Sequence, residues 1–255
     1  MRIMLLIFIL SQSAHAAIRF DGSDDVLHWD GAAPAMGMGL NFTNEITVSF
    51  WISKEVGLGA SSEYIGKGRL KNGNNLHWSI RNSSGKYEFN IASPSATFRN
   101  FTTSSTFTTT NAWQHIAFRW QTSDSNTATF FIDGVRATSV WTANPANVVM
   151  LTNNEPMRIG TTYAGSTTKG SIAEAAVWNA YLVDNEISAL AKSRTRGTPL
   201  HIRRPMLRGY WPLDRPFPYF TTASGSNAVL DLSGYGQHLT PLNSPQARPG
   251  PLASP

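Results

Sequence analysis

The chain has 255 residues, 41% of them hydrophobic and 15% charged, no cysteine, and a formal net charge of +5. That length is enough for one sizeable core, and the absence of cysteine excludes a disulfide framework and a lipid-modified thiol. Twenty Gly, 14 Pro and abundant Thr, Ser and Asn point to strands and turns rather than helices, and the small basic excess tilts towards anionic partners without identifying one.

In chain order, residues 1–16, "MRIMLLIFILSQSAHA", come first, with one charge at Arg2, an apolar run from Ile3 to Leu10 and the small-residue pattern Ala14-His15-Ala16. This reads as a secretory signal cleaved before Ala17. The run is well short of the roughly 20 residues that span a bilayer, so no membrane span is expected once it is removed. The remaining chain keeps a net charge of about +4, because the segment carries Arg2 and no acid.

Short strands are expected at Ile18–Phe20 and Val26–Trp29. "EITVSFWIS" then alternates Ile46, Val48, Phe50 and Ile52 against Thr47, Ser49, Trp51 and Ser53. "NLHWSIRN" alternates Leu76, Trp78 and Ile80 against His77, Ser79 and Arg81. "KYEFNIA" places Tyr87, Phe89 and Ile91 opposite Lys86, Glu88 and Asn90, and "WQHIAFRW" places Ile116, Phe118 and Trp120 opposite His115, Ala117 and Arg119. "TATFFIDGVRATSVW" is a hairpin turning at Asp133-Gly134. Further strands are expected at Met157–Ile159 and Ser171–Trp178.

One segment reads as a helix, "VDNEISALAKSR". Asp184 suits the N-cap, Ile187, Leu190 and Ala191 share a face, and Lys192 and Arg194 suit the C-terminal end. Many short strands, turns between them and a single short helix make an all-β, antiparallel two-sheet sandwich. A basic connector at 194–205 follows the helix, then "GYWPLD" at 209–214, "LDLSGYGQHLT" at 230–240, and a Pro-rich tail at 244–255. The cations Lys192, Arg194, Arg196, Arg203, Arg204 and Arg208 are broken up by Gly197, Pro199 and Pro205. That is the pattern of a solvated linker rather than a nucleic-acid surface, so no specific nucleic acid is expected. Sequons occur at Asn41, Asn82 and Asn100.

The passages "IRFDGSDDVLHW", "ITVSFWIS", "WQHIAFRW…TATFFIDGVRA" and "MRIGTTYAGSTTKGSIAEAAVWNAYLVDNEISAL", in that order, resemble the laminin-G-like jelly rolls of the concanavalin A-like lectin/glucanase superfamily. The resemblance runs from about Ile18 to Leu190 and implies a jelly-roll sandwich over 17–193. In that family a segment like "YWPLD…LDLSGYGQHLT" precedes the first strand. Here it follows the helix, so the order looks circularly permuted, with 206–243 completing the sandwich.

The superfamily includes glycanases, which need two carboxyl groups flanking the scissile bond. No Glu-x-Asp-x-x-Glu strand occurs here, nor any nucleophile or metalloprotease motif, so no enzyme activity is expected. The non-core faces of the strands instead offer Trp51, His77, Arg81, Glu88, Asn90, His115, Arg119 and Phe131. Their flat rings could stack on sugars and their polar groups could bond hydroxyls, carboxylates or sulfates. The resemblance also implies a hard cation, calcium, for which the turn "DGSDD" supplies Asp21, Asp24 and Asp25 and the late strand supplies Glu174. The expectation is an exported, non-catalytic module, secreted or at the cell surface, binding a glycan or cell-surface polysaccharide that carries acidic groups. The alternative is a structural or decoration protein of a virion or extracellular assembly, with protein partners and no small-molecule site.

Overall fold

The computed structural model describes residues 16–29, 40–57, 61–69, 75–92, 98–142, 150, 152–153, 155–161, 166–193, 198–214 and 229–251. The proposed signal, apart from Ala16, lies outside them. In chain order the elements are β1 (Ala16–Asp21), β2 (Val26–His28), β3 (Glu45–Lys54), β4 (Ser61–Arg69), β5 (Asn75–Ser83), β6 (Lys86–Ala92), β7 (Phe98–Thr103), β8 (Trp113–Gln121) and β9 (Asp124–Ile132). They continue with β10 (Val135–Ala137), β11 (Ser139–Trp141), β12 (Met157–Ile159), β13 (Lys169–Trp178), α1 (Asp184–Lys192), β14 (Leu207–Trp211), β15 (Thr240–Leu242) and β16 (Gln246–Pro249).

These strands form two antiparallel eight-stranded sheets. Sheet A runs β10-β9-β8-β3-β13-β1-β16, with β14 also on β13, and sheet B runs β11-β7-β6-β5-β4-β12-β2-β15. The period-2 alternation turns one face of each sheet inward. Sheet A contributes Ile46, Val48, Phe50, Ile52, Ile116, Phe118, Trp120 and Phe130; sheet B contributes Trp78, Ile80, Tyr87, Phe89, Ile91 and Phe101. Aromatic rings bridge the layers: Phe89 stacks on Phe118 at 3.9 Å between centroids, and Phe101 lies nearly parallel to Phe130. The sandwich is thus closed by residues whose inward direction alternation alone dictates.

A second, smaller core lies outside sheet A. Ala117, Phe131, Ala176, Trp178 and Tyr210 on that face pack against Ile187 and Leu190 of α1, Ile202 of the connector and Leu207 of β14. The helix is capped one residue earlier than expected. Val183 is the N-cap, its N–H donating to the Glu186 carboxylate at 2.8 Å, and Asp184 is already helical. The described part of the connector, 198–205, is exposed at His201, Arg203, Arg204 and Pro205, while Pro199 and Ile202 are buried. It forms two 3-10 turns, and the Ile202 carbonyl accepts from the Trp178 indole at 2.9 Å.

Residues beyond α1 complete both sheets. β14 pairs with β13 and β16 with β1 in sheet A, while β15 pairs with β2 in sheet B. β16 falls within what composition marks as tail. Its pairing with β1 shows that 246–249 belong to the sheet, Pro being tolerated because the strand is at the edge.

The "LDLSGYG" turn is organised by buried Asp231. One of its oxygens accepts from the backbone N–H groups of Tyr210 and Ser233, the other from the Ser233 hydroxyl and the Gln237 N–H, all within 2.9 Å. The first of these bonds ties the turn to β14. Asp231→Ala would leave several buried donors unsatisfied, so we expect a loss of about 2 kcal/mol, read as a lower urea midpoint.

Candidate functional site

Four adjacent strands of sheet B carry polar residues on the face turned away from the core. Register places Glu63 (β4), Arg81 (β5), Glu88 (β6) and Thr102 (β7) side by side in one rung. A second rung holds Gly66, Ser79, Asn90 and Asn100. Arg81 Nε donates to Glu88 Oε1 at 2.6 Å, and the Thr102 hydroxyl donates to Glu88 Oε2 at 3.3 Å. Asn90, in the orientation that satisfies both amide atoms, donates to Glu88 Oε1 and Asn100 Oδ1 and accepts from Arg81 Nε. Glu63, Ser79, Glu88 and Asn90 are buried, whereas Arg81, Asn100 and Thr102 are half-buried.

Buried charge carries a desolvation cost that apolar residues would avoid, so such a ladder is informative in a way an exposed polar face is not. Here the carboxylate of Glu88 and the guanidinium of Arg81 offset each other. What remains is a rigid array of hydroxyl, amide, guanidinium and carboxylate groups at strand spacing, chemistry suited to a ligand rich in hydroxyls.

The eight residues picked from alternation do not converge. Arg81, Glu88 and Asn90 lie in the sheet B ladder, while Trp51, His115, Arg119 and Phe131 lie on the outer face of sheet A, on the opposite side of the sandwich. His77 joins neither group. It sits at a bulge where β4 pairs with Leu76 and Trp78 but skips it, and its ring meets Phe42 edge-on. Glu63, Asn100 and Thr102 were missed because β4 and β7 were not recognisable as strands. Glycines and a bulge at Tyr64 break the alternation of "SSEYIGKGR", and "FRNFTT" is short.

The sheet A set is structural. Trp51 is buried with Ala17 and Ala173 beneath Trp113. His115 accepts from or donates to Ser49 Oγ at 2.8 Å through Nε2, and burial pushes its pKa down to about 3. Arg119, 2% exposed, donates to the Leu182 carbonyl, pairs with Asp184 at 2.7 Å and lies over the rings of Phe131 and Tyr181. The gap left among Ser49, Trp51, His115, Glu174 and Leu190 is about 10 Å³, room for at most one water. A sugar ring is larger than that gap.

Asp21, Asp24 and Asp25 bring carboxylate oxygens within 4.8 Å of one another in the turn after β1. Asp25 is buried. Its Oδ2 accepts the Asp21 N–H, its Oδ1 has no protein partner, and desolvation together with the neighbouring acids raises its pKa. Glu174 is not part of this set. It lies at a bulge five residues along β13 from Lys169, the partner of Asp21, and accepts from the Tyr210 hydroxyl at 2.6 Å. Of the sequons, Asn82 is buried in β5 and Asn100 is committed to the ladder. No helix among the described residues is long and apolar enough to cross a membrane.

A family model described as concanavalin A-like lectin/glucanases superfamily, of laminin-G type, matches residues 21–188. No curated protein matches the chain in sequence. Among solved structures, a candidate carbohydrate-binding protein from Bacteroides ovatus ATCC 8483 is similar with a TM-score of 0.61 at 14% identity, over 93% of this chain and 60% of that one. The receptor-binding domain of botulinum neurotoxin C/D mosaic serotype aligns with a TM-score of 0.52 at 13% identity, over 71% of this chain and 43% of that one. The binding domain of Paraclostridial Mosquitocidal Protein 1 aligns at 0.50 and 18% identity, over 69% and 43%. The chain therefore spans 60% or less of the length of these three structures, and at such identities the likeness is one of fold.

Proposed function

The chain belongs to the concanavalin A-like lectin/glucanase superfamily, and from that membership we propose that it is an exported, non-catalytic module that binds carbohydrate through the outer face of sheet B. The observation that carries this reading is the two-rung ladder of Glu63, Arg81, Glu88, Thr102, Ser79, Asn90 and Asn100. The other outer face is covered by α1 and the connector, and its polar groups Thr47, His115 and Arg119 are used in contacts within the protein.

A hydrolytic reading fits the same face less well. Glu63 and Glu88 stand two strands apart, about 9.5 Å between backbones, near the upper limit for an inverting pair. However, the partners of both Glu88 oxygens are donors, from Arg81, Thr102 and Asn90, so this carboxylate is held as an acceptor and not as the acid a leaving group requires.

The acidic turn fits calcium. Asp21, Asp24 and Asp25 would hold the ion, which prefers hard oxygen ligands, and it would compensate the buried, unpartnered Asp25 oxygen. Bound there, it would supply charge and loop order.

The test is a glycan array probed with the chain from Ala17 onwards, with calcium or with a chelator, beside Arg81→Ala and Asp25→Asn. We expect glycan binding that Arg81→Ala weakens at least tenfold without loss of fold, and calcium dependence that Asp25→Asn removes. A folded protein that binds no glycan would overturn the reading in favour of a structural or assembly role.

A further inference from the structure

The alternation that buries Ile46, Val48, Phe50 and Ile52 along β3 ends on Lys54, so this lysine points inward between the sheets at one end of the sandwich. It has a counterpart in Lys67 of β4, also buried but towards the other end of that strand. The two ammonium groups are treated differently. Lys67 donates to three oxygens, the Asn153 carbonyl and side chain and the Glu155 carbonyl, between 2.6 and 2.9 Å. Lys54 donates to a single oxygen, the Phe107 carbonyl, and otherwise lies over the Tyr87 ring at 5.0 Å. An ammonium has three N–H groups. Two of these on Lys54 are therefore left without an oxygen acceptor, and among the described residues no carboxylate pairs with it.

That group borders a groove of about 480 Å³, within the range of small-molecule sites, lined by Phe107, Thr108, Thr110, Ser84, Asn82 and Glu55 among others. The only acid in the lining, Glu55, is already neutralised by the bidentate guanidinium of Arg19, at 2.5 and 2.8 Å. Lys169 reaches the same rim, its Nζ 3.2 Å from where a side chain at Gly57 would begin. Residues 104–110 carry no charge, and Lys86, first in β6, shares the outward parity of Glu88 and Asn90. The groove therefore combines an aromatic ring, three hydroxyls and an uncompensated cation. It opens on the inner side of sheet B, whereas the ladder lies on the outer side.

We propose that this groove binds the anionic group of an acidic sugar, with the Lys54 ammonium as its charge partner. The site goes beyond the sheet B reading and stands even if that reading fails. An incoming carboxylate or sulfate would take the free N–H groups and supply the missing counter-charge, while Phe107 offers a face to the ring carbons and the threonines bond its hydroxyls.

Burial lowers the Lys54 pKa to about 8, and the facing Tyr87 is held neutral by a raised pKa, so the cation is lost just above physiological pH. Glu55 stays ionised through that range, its pKa lowered first by the Arg19 hydrogen bond. An anion that needs protonated Lys54 binds with constant affinity below pH 7. It weakens about thirtyfold by pH 9.5, where some 3% of the lysine remains charged.

The experiment is calorimetric titration of the chain from Ala17 onwards with glucuronate, glucose 6-sulfate and glucose, at pH 6.5 and 9.5, beside Lys54→Met, Lys54→Arg and Arg81→Ala. We expect saturable binding of glucuronate, the sulfate or both at pH 6.5, with glucose much weaker. The bound acid identifies the anion. The affinity should fall about thirtyfold at pH 9.5 in the parent, fall at least tenfold in Lys54→Met, survive Arg81→Ala, and persist at pH 9.5 in Lys54→Arg. No binding of either anion at millimolar concentration would overturn the proposal, as would binding indifferent to Lys54→Met in a variant with an unchanged melting temperature. Loss in Arg81→Ala with retention in Lys54→Met would move the anion to the ladder and discard the groove.

Discussion

Replacing Arg119 with alanine should destabilise the protein by about 4 kcal/mol, within the range for truncating a large buried side chain, and should loosen α1 before the sandwich unfolds. The guanidinium connects the outer face of sheet A to the helix start. It donates to the Leu182 carbonyl, pairs with Asp184, and lies over the Phe131 and Tyr181 rings. Truncation would orphan that carbonyl, remove both ring contacts and leave a cavity under the first turn.

The pair is asymmetric, since Arg119 is 2% exposed and Asp184 47%. Asp184 also holds the exposed Arg136 through two hydrogen bonds. Asp184→Asn keeps a hydrogen-bonding side chain beside Arg119 but leaves the buried guanidinium without a counter-charge, so it should cost about 2 kcal/mol, less than truncation of Arg119. Arg119→Lys, which keeps the charge but loses the planar fork, should fall between the two variants. Urea unfolding of the three variants, with amide exchange at 184–192, would test the order. A cost below about 1 kcal/mol for Arg119→Ala would show that Ile187 and Leu190 hold the helix on their apolar contacts alone.

His115 should make the protein acid-sensitive in a window separate from that of its carboxylates. Its ring is buried against Trp51 and Ser49, and burial lowers its pKa from 6.5 to about 3. In the unfolded chain the ring takes up a proton near pH 6.5; in the folded chain it does not until about pH 3. The unfolded state therefore binds more protons across that interval, and stability, fully present above pH 6.5, is lost as the pH falls towards 3, by as much as about 4 kcal/mol. Glu55 and Asp184, whose pKa values are lowered by Arg19 and Arg136, act in the same direction but only below about pH 4. Asp25, with a raised pKa, opposes them there. Between pH 6.5 and 4.5 the slope attributable to His115 should vanish in His115→Gln, which can still bond Ser49. Parallel melting-temperature curves for parent and variant over that interval would rule the assignment out.

Most of the strand framework was legible in the chain because a side chain's direction in a strand follows from its parity. "EITVSFWIS", "KYEFNIA" and "WQHIAFRW" alternate cleanly, and every apolar residue assigned inward there is buried in the core between the sheets. Where alternation is interrupted, parity fails. The bulge opposite His77 takes that ring out of register, and the bulge at Tyr64 hid β4 and with it Glu63. Tail composition likewise concealed β16, whose pairing depends on the position of β1 and not on its own residues.

The candidate site shows the same division more sharply. Alternation says which residues turn away from the core, but two sheets have two such faces, and nothing local distinguishes them. Only the strand order sends Arg81, Glu88 and Asn90 to one side and Trp51, His115, Arg119 and Phe131 to the other. Only the docking of α1 and the connector makes the second set a core rather than a surface. By itself the sequence determined the fold class, the family, the inward residues and the acidic turn, since each rests on contacts or patterns a few residues long. The ladder, the separation of Glu174 from the aspartates and the unmet donors of Lys54 were decided by tertiary structure. Each depends on distances between strands far apart in the chain, which no local pattern encodes.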